Sequence, residues 1–142
     1  MNAATIQAAV RDGITRTIAV VGLAGIALIH VLNAPSTFNE TPYLGWMYVA
    51  LILGSVTLAG ALIRDSDPRM WAAAGALALS VIVGYTLSRT TGLPQSSGDI
   101  GNWSEPLGIA SLFVEGSVVA VSALALIERL PIPWAASEAY AR

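Results

Sequence analysis

The chain has 142 residues, of which 55% are hydrophobic and only 11% charged, with a net charge of -2. A soluble domain carries about 25% charged residues, so an ordinary water-soluble globule is excluded, and nucleic acid is not an expected partner. Cysteine is absent, which rules out disulfides, thiolate metal sites, CxxC haem attachment and a thiol nucleophile.

Taken in chain order, residues 1–13 are expected to lie along the inner membrane surface, with Ile6 and Val10 on one face and Arg11 offered to anionic lipid. Four apolar runs follow, at about 17–34, 42–63, 70–91 and 106–127. At about 1.5 Å per residue each reaches across a hydrocarbon core of roughly 30 Å, and a helix satisfies its backbone without water. The competing reading of the first run as a cleaved leader is disfavoured by its length and by the bulky Leu32 at its best cleavage-like site. The expected fold is all-α: one integral membrane four-helix bundle made of two helical hairpins. Its outer loops are 35–41 and 92–105 and its inner turn 64–69, none long enough to bury a core of its own.

Charge sets the expected orientation. Arg11, Arg16, Arg64, Arg69, Arg129 and Arg142 all fall on one side of the four spans, and only Arg89 on the other. The positive-inside rule then places both termini and the 64–69 turn in the cytoplasm, as in a bacterial inner-membrane protein.

The two hairpins echo each other. The second span opens Glu40-Thr41-Pro42-Tyr43-Leu44-Gly45 and the fourth Glu105-Pro106-Leu107-Gly108. In both, an acid complements the positive end of the helix dipole and a proline occupies the first turn, where its missing N–H costs nothing. Ala72, Ala76, Ser80, Gly84 and Ser88 recur every four residues and predict a small-residue packing seam on the third span. Gly22 and Gly25, and Ala50 and Gly54, give shorter versions. Trp46, Trp71, Trp103 and Trp134 fall near span ends, where amphipathic rings favour the headgroup level. In the 90–105 loop, Gly92 is expected to cap the third helix in the left-handed conformation, and Trp103 to hold the loop on the bundle.

Candidate chemistry gathers in the outer half. Glu115 sits about nine residues into the fourth span, roughly 13 Å down. An acid at that depth costs about 2.5 to 3.5 kcal/mol on insertion scales and should face the interior. Gly108, Ser111, Glu115 and Ser122 share one helical face. His30 lies near the outer end of the first span, with Tyr85 and Arg89 one turn apart near that of the third. Arg89 is expected to pair at the rim with Glu105 or Glu40 rather than reach Glu115, and Glu115 to be neutral and donate to a hydroxyl or amide. These groups suit proton transfer, cation binding or a small polar ligand, or equally interhelical hydrogen bonds that hold register.

Standard catalytic signatures such as HExxH, GxSxG and the P-loop are missing, so an enzyme is not expected, and no cofactor is implied. A metal site would need His30 with Glu40, Asp99 or Glu105, a hard oxygen-rich set unsuited to Cu(I).

The run Gly84-Tyr85-Thr86-Leu87-Ser88-Arg89-Thr90-Thr91-Gly92-Leu93-Pro94, with Glu105-Pro106-Leu107-Gly108 and Glu115, resembles an uncharacterised group of small bacterial four-span membrane proteins. So does His30 followed by Ala34-Pro35 and Pro42-Tyr43-Leu44-Gly45. The resemblance implies no activity, cofactor or catalytic residue, only that these positions form one unit. Two functions are therefore expected: an accessory or structural subunit of a larger membrane complex, or a stand-alone cation-, proton- or small-ligand-binding or transport protein built on Glu115, His30, Tyr85, Arg89 and Glu105. The expected partners are the bilayer and either other membrane subunits or further copies of the chain.

Overall fold

A computed structural model describes residues 2–129 as four α-helices in sequence: α1 (Ala3–Glu40), α2 (Pro42–Arg64), α3 (Pro68–Thr90) and α4 (Pro106–Ile127). All four are long and apolar enough to cross a membrane. The surface supports that reading: Trp46, Leu53, Phe113 and Ile127 stand exposed, while His30, Ser55, Arg89, Ser111, Glu115 and Ser122 are buried. Water would reverse that arrangement.

Proline sets the start of three helices. Thr41, Asp67 and Glu105 precede Pro42, Pro68 and Pro106, and each is held outside the helical region, with ψ of 85°, 128° and 122°. Steric conflict with the following ring forces that conformation, while proline suits the first helical turn. Thr41 is also where α1 must stop, which leaves a single residue between α1 and α2.

This corrects two expectations. The expected outer loop at 35–41 is helical up to Glu40 and runs straight through Pro35. Proline there removes one backbone donor, while Ser36 and Thr37 both donate side-chain hydrogen bonds to the Asn33 carbonyl at 2.9 Å and reinforce the turn. The amino-terminal stretch is likewise no separate surface segment: from Ala3, capped by Asn2 accepting from the Thr5 N–H at 2.9 Å, it is continuous with α1.

α1 packs most extensively on α2 and α3 on α4, giving the two hairpins, which join mainly through α1 and α4. At that join Gly22 and Gly25 meet the side chains of Val118 and Val114. Gly54 gives the same close approach to Leu77 of α3, and Gly75 to Ser122 of α4. The core is Ala19, Leu23, Ile26, Leu62, Trp71, Ala74, Ala78, Val118 and Ala125. α3 therefore buries Trp71, Ala74 and Ala78, and the expected seam is turned the other way: Ala72, Ala76 and Ser80 are exposed, and a Cβ at Gly84 would meet nothing within 4 Å. Small residues permit close approach but do not dictate it, and the tryptophan decides which face turns inward.

The short turn at 65–67 is closed by charge. The Arg129 guanidinium donates to Asp12 at 3.1 Å, to Ser66 Oγ at 2.5 Å and to the Ala125 carbonyl at 2.6 Å. Arg16 donates to Asp12 at 2.7 Å, and the indole N–H of Trp71 to Ser66 at 3.2 Å. Trp71 is thus no interfacial anchor but a wholly buried ring beneath Arg129, 5.5 Å from its centroid. Trp134 lies outside the described residues.

Candidate functional site

At the opposite end, α3 finishes as its sequence predicts. Gly92 adopts φ +78°, and its N–H reaches back to the Leu87 carbonyl at 2.9 Å. The 91–105 connection then folds onto the bundle. The Gly101 N–H donates to the Arg89 carbonyl at 2.8 Å, and the Tyr43 hydroxyl to the Pro94 carbonyl at 2.6 Å. Trp103 meets the Tyr85 ring edge-on at 6.1 Å.

Beneath this cover lies Arg89, 5% exposed. Its guanidinium pairs with Asp99 at 2.6 Å and with Glu105, and stacks over Tyr85 at 4.8 Å from the ring centroid. The expected partner Glu105 is therefore found, and Glu40 is not one. The pair is not the exposed rim contact that was expected, since the cation itself is buried and the two carboxylates face outward. Asp99, considered from sequence only as a metal ligand, is the partner that was missed.

Tyr85 connects this layer to α4. A Cβ at Gly108 would lie 2.6 Å from its Cε2 and 2.7 Å from its hydroxyl oxygen, so only glycine leaves room for the ring against the α4 backbone. One turn further along the same face Ser111 donates to Glu115 Oε1. Glu115 is 0% exposed, and its second oxygen, Oε2, has no partner. Gly108, Ser111, Glu115 and Ser122 all turn inward, as their spacing predicts.

His30 belongs to the neighbouring α1–α2 contact. Its Nδ1 lies 2.8 Å from the Ile26 carbonyl; a carbonyl only accepts, so Nδ1 carries a proton, and in the neutral ring Nε2 is then the acceptor. The ring meets Tyr48 edge-on at 4.7 Å. Tyr48 was missed as a site residue, although it begins the seven-residue spacing Tyr48, Ser55, Leu62 that marks the inner face of α2. Among the described residues no three His, Cys, Asp or Glu side chains converge to hold a metal, so His30 does not come together with Glu40, Asp99 and Glu105.

The arrangement is a buried cation neutralised from above, an aromatic hydroxyl below it, and an isolated acid deeper still. Glu115 offers a carboxyl oxygen without a partner, and Arg89 a cation shielded from solvent. No known protein family, curated protein or solved structure matches the chain.

Proposed function

We propose that this is a small polytopic protein of the bacterial cytoplasmic membrane that serves as an accessory subunit of a larger membrane complex. Both termini and the 65–67 turn lie in the cytoplasm in this reading. Arginine placement supports the orientation, with Arg11, Arg16, Arg64, Arg69 and Arg129 at the turn end. The accessory role rests on the outward row of α3, where Ala72, Ala76, Ser80 and Gly84 leave the backbone open to a further helix. In lipid, helix association depends on that close approach.

Crosslinking in native membranes followed by detergent extraction tests it. Larger subunits should co-purify with the chain, and Ala76→Leu with Gly84→Leu should abolish their recovery. A monodisperse particle of this chain alone overturns the role. Because the chain has no cysteine, single cysteines at Gly98 and Asp65 test orientation: an impermeant maleimide outside the cell should label the first and spare the second.

A second reading is favoured by the unpartnered Oε2 of Glu115. Here the protein stands alone and binds a proton, or a small cation or polar ligand, from the loop end through Glu115, Tyr85, Arg89, Glu105 and His30. Burial of an uncompensated carboxylate is costly, so Glu115 rests as the neutral acid. Its protonated carboxyl stretch should appear in the infrared spectrum, titrate, and vanish in Glu115→Gln.

A further inference from the structure

Five buried side-chain polar atoms among the described residues have no hydrogen-bond partner: Arg89 Nε, the Tyr85 hydroxyl, Glu115 Oε2, Ser55 Oγ and Ser122 Oγ. They come from three helices, yet they fall in one order along the bundle. Arg89 lies at the loop end against Glu105, and Tyr85 one turn below it at Gly108. Glu115 follows along α4. Gly54, next to Ser55, meets Leu77 of α3, while Gly75, two residues before Leu77, meets Ser122. Ser55 is therefore level with the stretch between Glu115 and Ser122. Those two are seven residues apart, about 10 Å along the axis, and by helix rise Ser55 lies within about 2 Å of the level of Ser122, leaving roughly 8 Å to Glu115 for water to bridge.

The serines are unusual within this chain. Thr15, Thr17, Thr86 and Ser117 each donate to the carbonyl four residues back at 2.8 to 2.9 Å, the ordinary outlet for a hydroxyl on a helix. Ser55 and Ser122 do not, although both are fully buried. Orphaned polar atoms in a nonpolar interior are the places where proteins hold ordered water.

We propose that the bundle axis holds a single file of water along which protons pass between the Glu105 rim and the Asp12–Arg129 cluster, with Glu115 as the titrating stop. This rests on the reading of Glu115 as a proton-binding group. Each water or hydroxyl accepts one proton and releases another, so Tyr85, Ser111, Ser55 and Ser122 end every transfer unchanged. Glu115 alone changes charge. It gives its proton to water on one side, leaving carboxylate and hydronium, and takes one back from the other. The remaining titratable or charged groups along the route are His30 on α1, Tyr48 on α2, Arg89 on α3, Asp99 and Glu105 at the loop end, and Asp12, Arg16 and Arg129 at the turn end. Arg89 and Arg129 are held at opposite ends by carboxylates, and a single file of water passes protons by exchange along the chain without admitting a hydrated metal cation.

The full chain in liposomes loaded with a pH-sensitive dye, with a potassium gradient and valinomycin setting the potential, tests this. Proton uptake should exceed that of protein-free vesicles at least tenfold. Glu115→Gln should return it to background and Glu115→Asp restore part of it. Ser55→Ala and Ser122→Ala, which remove no observed hydrogen bond, should each lower it several-fold with unchanged circular dichroism. Uptake at the protein-free level overturns the file, as does a sodium or potassium conductance equal to that for protons. If Glu115 still titrates in the infrared while flux is absent, the file fails and the proton-binding reading stands; if neither is seen, both fail.

Discussion

Gly108 is the residue on which the loop end closes, because Tyr85 occupies the space a side chain would need. Gly108→Ala should therefore displace the ring and with it Trp103 and the seat of Arg89. Overpacking of this kind costs about 1–3 kcal/mol. A lower unfolding midpoint in detergent and a changed Trp103 emission would show it, and an unchanged pair would contradict the packing. Glu115 and Arg89 were legible in the sequence because a charge inside an apolar run has few tolerable surroundings. Asp99 and Ser55 were not: the first depends on how a glycine-rich loop folds back, and the second is an ordinary serine until its neighbours show that it points into the core.

For elements, hydropathy placed the helices and proline the starts of α2 and α4, while the start of α3 at Pro68 was expected two residues later, at 70. The errors were at polar ends, where Arg11 and Arg16 were placed before the first span, residues 1–13 on the membrane surface and 35–41 in a loop. A helix continues through such residues when nothing forces the backbone out, and the first forced residue is Thr41, before Pro42. The facing of α3 was missed for a different reason, since a four-residue row of small side chains is compatible with either side of the helix. Close helix contacts give a paired prediction. Gly22→Leu drives a branched side chain into Val118 where α1 meets α4, whereas the Cβ of Gly116→Ala on α4 meets nothing within 4 Å. The first should destabilise the bundle by about 1–3 kcal/mol or more, and the second should be neutral or stabilising by a few tenths of a kcal/mol through helix propensity. Unfolding midpoints of the two variants in one detergent check this, and equal losses would sink it.

At the scale of the molecule, the bundle is closed by charge at both ends and apolar around its girth. The turn end should respond to acid. The hydrogen bond from Arg16, reinforced by the charges of Arg16 and Arg129 and opposed by partial burial, holds the Asp12 carboxyl below its ordinary value of 3.8. A depressed acid stabilises the fold above the unfolded-state value, and that contribution is lost as pH falls through the folded one. Acid below about pH 4 should thus loosen this end. With the Asp12 side chain 41% exposed, water and salt screen the contribution, which should be small and should weaken as ionic strength rises. Trp71 emission followed during acid titration should report the change, and Asp12→Asn should flatten it.

The unequal helix lengths have a practical consequence. α1 has 38 residues against 22 or 23 for its neighbours, and its first buried position is Thr15. Its opening turns project past the other three helices like a mast on a hull, burying no side chain among the described residues. A stiff helical domain spliced in phase at Ala3 would be carried at a fixed bearing, giving a particle of this size an orientation marker without disturbing any side chain packed among the described residues.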